Sequence, residues 1–477
     1  MTEEDAVTRS ALTTTGRSGA RPASDRDQVV RHLGEMLARE GWPRERLIAH
    51  QRTRLRDLLA HAVGHSPYYA EALGPGAAER PLSTLPALSK RTLMDQWDRI
   101  VCDRRLTRAA VEAHAAGPAR GDPYLNEFHV FTSSGSSGLR GLIVFSGADW
   151  EVAAANILRC AARAEVRPGT RTVAIGGADP LHMSRKAFAV AQAGDPQAPV
   201  LSALTPLADI VAALNHYQPE ALYGYPSVAA LLAREQLAGR LTIAPRWLAF
   251  GSEPLTAAMR AAIRRAWNIE PCEYYASTEL PVVASSTPSH PRALEIFDDL
   301  AVVEVVGQDN HPVPPGTPGA KVLITNLEQR TLPLIRYELS DRVTLAPEPN
   351  PAGRPFRVIS AIEGRSADTL VFPARRGDGT VAVLPFGLAD PLAHLPGIRQ
   401  YQLVHNPGEL LLRLVLAPDA PADLEERAQA GLIHALEAVG ALPPAVRVAA
   451  VPAINRDPGA AAKLKLIVNN CASTPAG

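Results

Sequence analysis

Between Asp27 and Leu73, apolar side chains return every three or four positions: Val30, Leu33, Met36 and Leu37, then Leu47, Leu55, Leu58, Leu59, Ala62 and Val63. That spacing predicts two amphipathic helices, the second started at Pro43. From Ala148 to Pro226, long helical patterns alternate with short apolar runs, Thr172-Val173-Ala174-Ile175 and Ala221-Leu222-Tyr223, each leading into a glycine. The alternation continues through Trp247-Leu248-Ala249-Phe250, a helix over 257–267 and a run from Cys272 to Tyr275. Strand followed by helix is the pattern of an α/β fold around a mainly parallel, buried sheet. Past Pro281 the period changes to two, at 301–306, 320–325 and 342–345, with turns such as Pro314-Pro315-Gly316-Thr317-Pro318-Gly319 between the runs. This predicts an antiparallel or β-barrel-like subdomain. After Gly364-Arg365 come a hairpin pattern, 400–404 and 410–416 around Asn406-Pro407-Gly408, a helix near 422–439 and a strand at 446–451. The expected division is a tail over 1–27 without periodicity, a large N-terminal domain over 28–363 and a small α+β domain over 364–477.

The chain has 477 residues, 46% of them hydrophobic, which is more than one core usually serves. Lysine plus arginine, 49, balances aspartate plus glutamate, 49, so no overall field draws the protein to nucleic acid or an anionic membrane. Cys102, Cys160, Cys272 and Cys471 are widely spaced with no C-x-x-C, so neither a disulfide framework nor a cysteine zinc cage is written here. No apolar run approaches ~18 residues, and the polar start has no signal-peptide core. The expectation is a cytoplasmic protein without a structural metal, with a homodimer left open.

Five segments could carry chemistry. Thr132-Ser133-Ser134-Gly135-Ser136-Ser137-Gly138 combines glycines, which let backbone N–H groups converge, with hydroxyl donors, and so suits a polyphosphate. It could equally be a Ser/Gly linker, and it lacks the lysine of the nucleotide P-loop. A Ser-Ser-Lys amidase would need a paired glycine before the serines, which is missing. Tyr274-Tyr275-Ala276-Ser277-Thr278-Glu279 ends a strand pattern, placing an aromatic, a hydroxyl and a carboxylate where open α/β sheets bind ligands. An aromatic stacks on a base, a threonine donates to phosphate and a glutamate holds a divalent cation; alternatively Thr278-Glu279 opens a helix. Asp341, in Leu334-Ile335-Arg336-Tyr337-Glu338-Leu339-Ser340-Asp341, could clamp a ribose diol, and Arg365, in Glu363-Gly364-Arg365-Ser366-Ala367-Asp368, could brace it. The last segment is Ala462-Lys463-Leu464-Lys465-Leu466-Ile467.

Taken in order, these five resemble the core motifs of the adenylate-forming superfamily. Within it the chain is most similar to phenylacetate-CoA ligase and its CapK-like relatives. The similarity extends to Arg54-Leu55-Arg56-Asp57-Leu58-Leu59, His65-Ser66-Pro67-Tyr68-Tyr69, Leu85-Pro86-Ala87-Leu88-Ser89-Lys90, the run from Tyr217 through Pro226 to Ser227, and Gly251-Ser252-Glu253-Pro254-Leu255.

By that resemblance, Ser133, Ser134, Gly135, Ser136, Ser137 and Gly138 would cover the β- and γ-phosphates of ATP. Gly251, Ser252, Glu253 and Pro254 would line the adenine, Tyr275 would pack on its face, and Ala276 and Ser277 would complete the nucleotide wall. Thr278 would meet the α-phosphate, Glu279 would hold Mg²⁺, Asp341 would bind the ribose with Arg365 assisting, and Lys463 would be the mobile catalytic lysine. Phe131, Tyr223, Gly224, Tyr225 and Pro226 would line a pocket for an aryl or arylacetic acid. The implied reaction is carboxylate attack on ATP to give an acyl adenylate, then transfer to coenzyme A, a carrier-protein thiol or an amine. Departures from the family pattern are Ala367 in place of the hinge aspartate, Leu339-Ser340 before Asp341, and Ala462 in place of the glycine before Lys463, which leaves Lys465 as a substitute. A catalytically degenerate nucleotide- or acyl-binding protein is the alternative those departures motivate, and an ATP-independent amidase is a further one.

Overall fold

The computed structural model describes residues 23–133, 140–167, 169–177, 179–192, 195, 197–365, 370–383, 388, 391–392, 395, 397–455 and 465–471, without the side chains of 23–25, 365 and 382. Three helices open the fold where the spacing predicts two: Ala23–Arg39, Arg44–His65 and Pro67–Leu73. The break lies at Ser66, whose buried hydroxyl accepts from the Tyr69 N–H at 3.3 Å and donates to the Arg99 carbonyl at 2.8 Å, with Pro67 at the first helical position. Apolar periodicity runs on through Tyr69 and Leu73 and conceals it.

Strands β1 (His129–Thr132) and β2 (Leu142–Phe145) form a hairpin. Next come β3 (Thr172–Gly176), β4 (Leu201–Ser202), β5 (Ala221–Gly224), β6 (Trp247–Gly251), β7 (Cys272–Tyr275), β8 (Ala284–Thr287) and β9 (His290–Ile296). β10 (Ala301–Val306), β11 (Lys321–Asn326) and β12 (Tyr337–Leu339) make a separate three-stranded antiparallel sheet. β13 (Asp341–Leu345) and β14 (Val358–Arg365) rejoin the large sheet, whose order is β13-β14-β9-β8-β7-β6-β5-β3-β4. The ladders among β4, β3, β5, β6 and β7 are parallel. The other four are antiparallel, so the sheet is mixed and not mainly parallel. The barrel-like expectation is also corrected. The runs at 301–306 and 320–325 pair in the separate sheet as β10 and β11, while 342–345 joins the edge of the large sheet through the pairing of β13 with β14, and no closed barrel forms among the described residues.

The helix Gly147–Arg163 covers one face of this sheet and starts at a capping box between Ser146 and Asp149. Its Arg159, 0% exposed, bonds Glu40 at 2.8 Å and Asp299 at 3.0 Å and lies over the Phe297 ring. A buried charge is tolerated only when paired in this way. The N-terminal helix is thereby tied to the sheet.

From Leu370 onward the chain has its own core. β15 (Leu370–Pro373) pairs with β16 (Thr380–Val383), and β17 (Ile398–Asn406), β18 (Glu409–Leu416), β19 (Ala445–Ala450) and β20 (Ile467–Asn469) form a sheet of order β19-β18-β17-β20. The helix Leu424–Ala438 packs Ala428, Leu432 and Leu436 against Leu410, Leu412 and Leu414. The expected hairpin turns between Asn406 and Glu409, as the Asn-Pro-Gly sequence dictates. Arg234, in the helix Pro226–Leu237, reaches this part by donating to the Ile398 carbonyl at 3.2 Å. No helix among the described residues is long and apolar enough to cross a membrane.

Candidate active site

The site grows from the carboxyl ends of three adjacent parallel strands. Tyr223, Ala249 and Cys272 are register partners, so β5, β6 and β7 lie side by side, with β6 and then β7 reaching further past the end of β5. At Gly251 an added Cβ would stand 2.2 Å from the Tyr274 carbonyl, so only glycine lets β6 close against β7. The chain then turns sharply at Ser252, in the left-handed region at φ 64°.

After β7 no helix begins. The Ser277 N–H donates to the Leu280 carbonyl at 3.1 Å and the Leu280 N–H to Ser277 Oγ at 3.0 Å, folding the segment into a turn. Thr278 and Glu279 are held at its tip beside the cavity. Glu279 is only 4% exposed, its backbone carbonyl accepts from Asn326 Nδ2 at 3.0 Å, and it stands near the buried Tyr337 hydroxyl. Burial first, and then the Glu279 charge, push the Tyr337 hydroxyl well above its ordinary range. A buried carboxylate oxygen next to hydroxyls is a donor suited to a hard divalent cation.

On the same edge, the Tyr275 hydroxyl donates to Asp341 Oδ2 at 2.9 Å. Arg365 stands directly opposite Asp341 in the β13–β14 ladder. Arg336, in the same segment as Asp341, has no such role. Its buried guanidinium bonds Glu304 at 3.0 and 3.1 Å, the Ser83 carbonyl at 3.1 Å, the Asn310 carbonyl at 2.8 Å and the Leu85 carbonyl, knotting the approach to Asp341 in place.

These groups share one cavity of about 310 Å³. Ser252, Thr278, Glu279, Ser340 and Asp341 form one part of its wall, and Lys90, Ser133 and His182 another. Ser133 closes the base of the hydroxyl-rich loop, its Oγ accepting from the Gly141 N–H at 2.8 Å and from Lys90 Nζ at 3.1 Å. Ser89 caps the helix Lys90–Asp95 and so fixes the lysine's position. His182 Nδ1 lies 2.7 Å from Ser184 Oγ, which is 3.3 Å from the Tyr225 hydroxyl. The rest of the wall includes Ala161, Ala164, Ala187, Ala191, Ala249 and Phe188, with Ser184, Glu273, Ser285 and Ser286 as polar members. Burial raises its Cys160 thiol and pushes Cys272 up to about 11, which disfavours the thiolate at neutral pH.

No family model matches the chain. A phenylacetate-coenzyme A ligase of Thermus thermophilus is 26% identical over 383 residues, covering 76% of this chain and 79% of that protein. A 2-hydroxyisobutyryl-CoA ligase in its postadenylation state, in complex with 2-HIB-AMP, superposes over 97% of this chain and 94% of its own, at a TM-score of 0.69 and 21% identity. The chain shares the fold of this CoA ligase. The same ligase in its thioesterification state matches this chain at a TM-score of 0.56 and 22% identity, over 96% of this chain and 95% of that one.

Set on this geometry, the expected residues divide into three groups. Ser133, Tyr223, Ser252, Ala276, Ser277, Thr278, Glu279 and Asp341 lie on the cavity wall, and Tyr275 stands behind it on Asp341. Other expected wall residues are displaced. The Phe131 ring is fully buried against Phe145 and Trp150, because its strand turns it into the core behind Ser133. Gly224, Tyr225 and Pro226 form the β5-to-helix turn behind Tyr223, and Glu253 accepts from the Ser227 N–H at 3.3 Å at that helix's start, while Gly251 and Pro254 flank Ser252. Ser134, Gly135, Ser136, Ser137, Gly138, Lys463 and the Arg365 side chain lie outside the described residues. Lys465 is described, and its carbonyl is bound by Gln402 Nε2 at 2.9 Å on the edge of β17. Lys90 and His182 belong to no site motif in the sequence. Lys90 follows the capping Ser89, and a single lysine there carries no sign of the loop it faces.

Proposed function

We propose that the protein activates an aromatic carboxylic acid with ATP, forming an acyl adenylate and pyrophosphate, and then passes the acyl group to coenzyme A or another acceptor. The observation that supports this most is the single cavity joining an ionic wall, Thr278, Glu279, Asp341, Lys90 and Ser133, to a wall of alanines. The first wall suits a nucleotide triphosphate, and the second suits a flat acyl group.

In this reading the acid's carboxylate oxygen attacks the α-phosphorus, a new P–O bond forms, and the bond to the β-phosphate breaks as pyrophosphate leaves. The nucleophile is already ionised, so the protein's task is to position two anions and neutralise them. Asp341, held by Tyr275, accepts from the ribose hydroxyls, and Thr278 donates to an α-phosphate oxygen. Lys90, braced on Ser133, faces the outer phosphates. Glu279 would hold Mg²⁺, whose charge offsets that of the triphosphate. Lys463 supplies a cation to the attacking carboxylate and the α-phosphate.

The test is hydroxylamine trapping with ATP, Mg²⁺ and an aryl acid. Hydroxamate formed in step with AMP supports the reading. AMP formation independent of any acid, or no AMP with acids that bind, contradicts it.

A further inference from the structure

Past its ionic groups the cavity continues as a slot between two helices and the large sheet. The helix Met183–Ala191 runs down the sheet from the carboxyl edge: Ser184 Oγ accepts from the Gly177 N–H at 3.1 Å near its start, and Gln192 at its end donates to the Thr172 carbonyl at 3.3 Å. The helix Gly147–Arg163 descends beside β8, from Asn156, which donates to the Val282 carbonyl at 2.7 Å, to Arg163, which donates to Ser285 Oγ at 3.2 Å. Ile157, Ala161 and Ala164 line the cavity at spacings of four and three and so share one face, as do Met183, Ala187 and Ala191. At about 1.5 Å per residue these faces are about 10 and 12 Å long. The strand beneath them, Cys272 to Tyr275, gives about 10 Å independently. At carbon–carbon bond lengths of about 1.5 Å, phenylacetate reaches only about 6 Å from its carboxyl carbon to the far side of its ring.

The deep half of the slot is open and apolar. Ala161, Ala187 and Ala191 each keep part of their surface exposed. The polar groups along it are already engaged. Ser285 Oγ is bonded by Arg163 and Cys160, Ser286 Oγ accepts from the Glu273 N–H at 2.8 Å, and the Glu273 carboxylate is paired with Arg260. The Tyr223 hydroxyl is buried out of reach of a water-sized atom. A polar group carried this deep would give up its water against partners already occupied, whereas each apolar carbon placed there is stabilised.

We infer that the acid is elongated: an aromatic carboxylate whose ring carries, on the side away from the carboxyl group, an apolar extension of about four carbons or a second ring. The inference rests on the adenylation reading for the position of the carboxylate, at the carboxyl edge beside Thr278. Ala161 and Ala187, one on each helix, are then specificity-determining residues, because their small side chains leave the slot its depth.

The experiment compares acid-dependent ATP–pyrophosphate exchange for benzoate, 4-methylbenzoate, 4-butylbenzoate and 4-phenylbenzoate in wild type, Ala161→Leu and Ala187→Leu. In the wild type kcat/KM is expected to rise along the series, by about tenfold or more from benzoate to the butyl or phenyl acid. In either leucine variant, which fills the slot and keeps a good helix former, the ratio of long to short acid is expected to fall by about tenfold or more. A wild type that prefers benzoate, or that is indifferent to length, overturns the inference and leaves adenylation standing; so does a ratio unchanged in both folded variants. If no acid supports exchange, calorimetry of the same series on the wild type decides. Affinity that rises with length by about tenfold supports the inference while contradicting adenylation, and affinity that does not rise with length overturns both.

Discussion

The Tyr275 hydroxyl donates to Asp341 Oδ2 at 2.9 Å, joining the end of β7 to the start of β13 across 66 positions of sequence. A ribose diol bound by Asp341 would meet a carboxylate already oriented by a second residue. Asp341→Ala is expected to raise the KM for ATP and cut exchange activity by at least about 10²-fold. Tyr275→Phe, which removes only the orienting bond, is expected to raise the KM for ATP severalfold, ~3 to 10. The KM for the acid should stay put in Tyr275→Phe, and an equal rise in both would show that the bond supports the fold and not the nucleotide site.

Glu279 is buried, its backbone carbonyl bound by Asn326 and its carboxylate beside the Tyr337 hydroxyl. Glu279→Gln keeps the shape and removes the charge. Exchange activity is expected to fall about 10²- to 10³-fold, with the Mg²⁺ concentration for half-activity displaced upward. A titration showing the wild-type Mg²⁺ dependence in the variant would remove Glu279 from the cation's shell.

Lys90 reaches Ser133 at the base of the hydroxyl-rich loop. Lys90→Met should raise the KM for ATP about tenfold while changing AMP affinity little, because only ATP carries outer phosphates. Calorimetry with both nucleotides makes the comparison, and an equal loss for AMP would place the lysine elsewhere on the ligand.

Two buried carboxylates predict the acid limb of stability. For Asp298, burial alone would raise the pKa, but Arg357, at 2.6 Å, and Arg44, at 2.9 Å, outweigh it and hold the carboxyl below its ordinary 3.8. Burial of Glu295 is likewise outweighed by Arg354 and Arg163, leaving it below its ordinary 4.5. A pKa lowered on folding contributes stability above the unfolded value, and that stability is lost as pH falls through the folded one. The pair's contribution is therefore constant between about pH 7 and 5 and drains away below about pH 4. Glu304 runs the other way, because burial outweighs Arg336 and raises it, so part of its penalty is relieved as acid is added. Arg357→Met should cost about 3 kcal/mol at pH 7 and flatten the acid limb, since Asp298 then gains less from ionising. Thermal melts at several pH values decide this, and a variant curve parallel to wild type would contradict the linkage.

Sequence periodicity carried the helices, the alternating α/β segment and the C-terminal hairpin, because each buries its face locally. It did not carry the mixed sheet or the open arrangement of the period-two strands. Alternation at 342–345 looks the same whether a strand closes a ring or extends an edge, and the partner of β13 is set by β14, which follows a long connection. Asp341 and Thr278 could be singled out because their motifs are contiguous. Phe131 could not be placed, since within a short buried strand one register step separates cavity wall from core. Lys90 and Ser285 reach the cavity through tertiary contacts, and only spatial convergence makes them visible.

The central claim is tested most directly by carboxylate-dependent ATP–pyrophosphate exchange over benzoic, hydroxy- and aminobenzoic, cinnamic, phenylacetic and short aliphatic acids, with Lys463→Ala run alongside. Exchange confined to one class of ring acid, and lost by about 10²-fold or more in the variant, is the predicted result. Exchange with none of these acids in a protein that binds ATP, or full activity in Lys463→Ala, would contradict it.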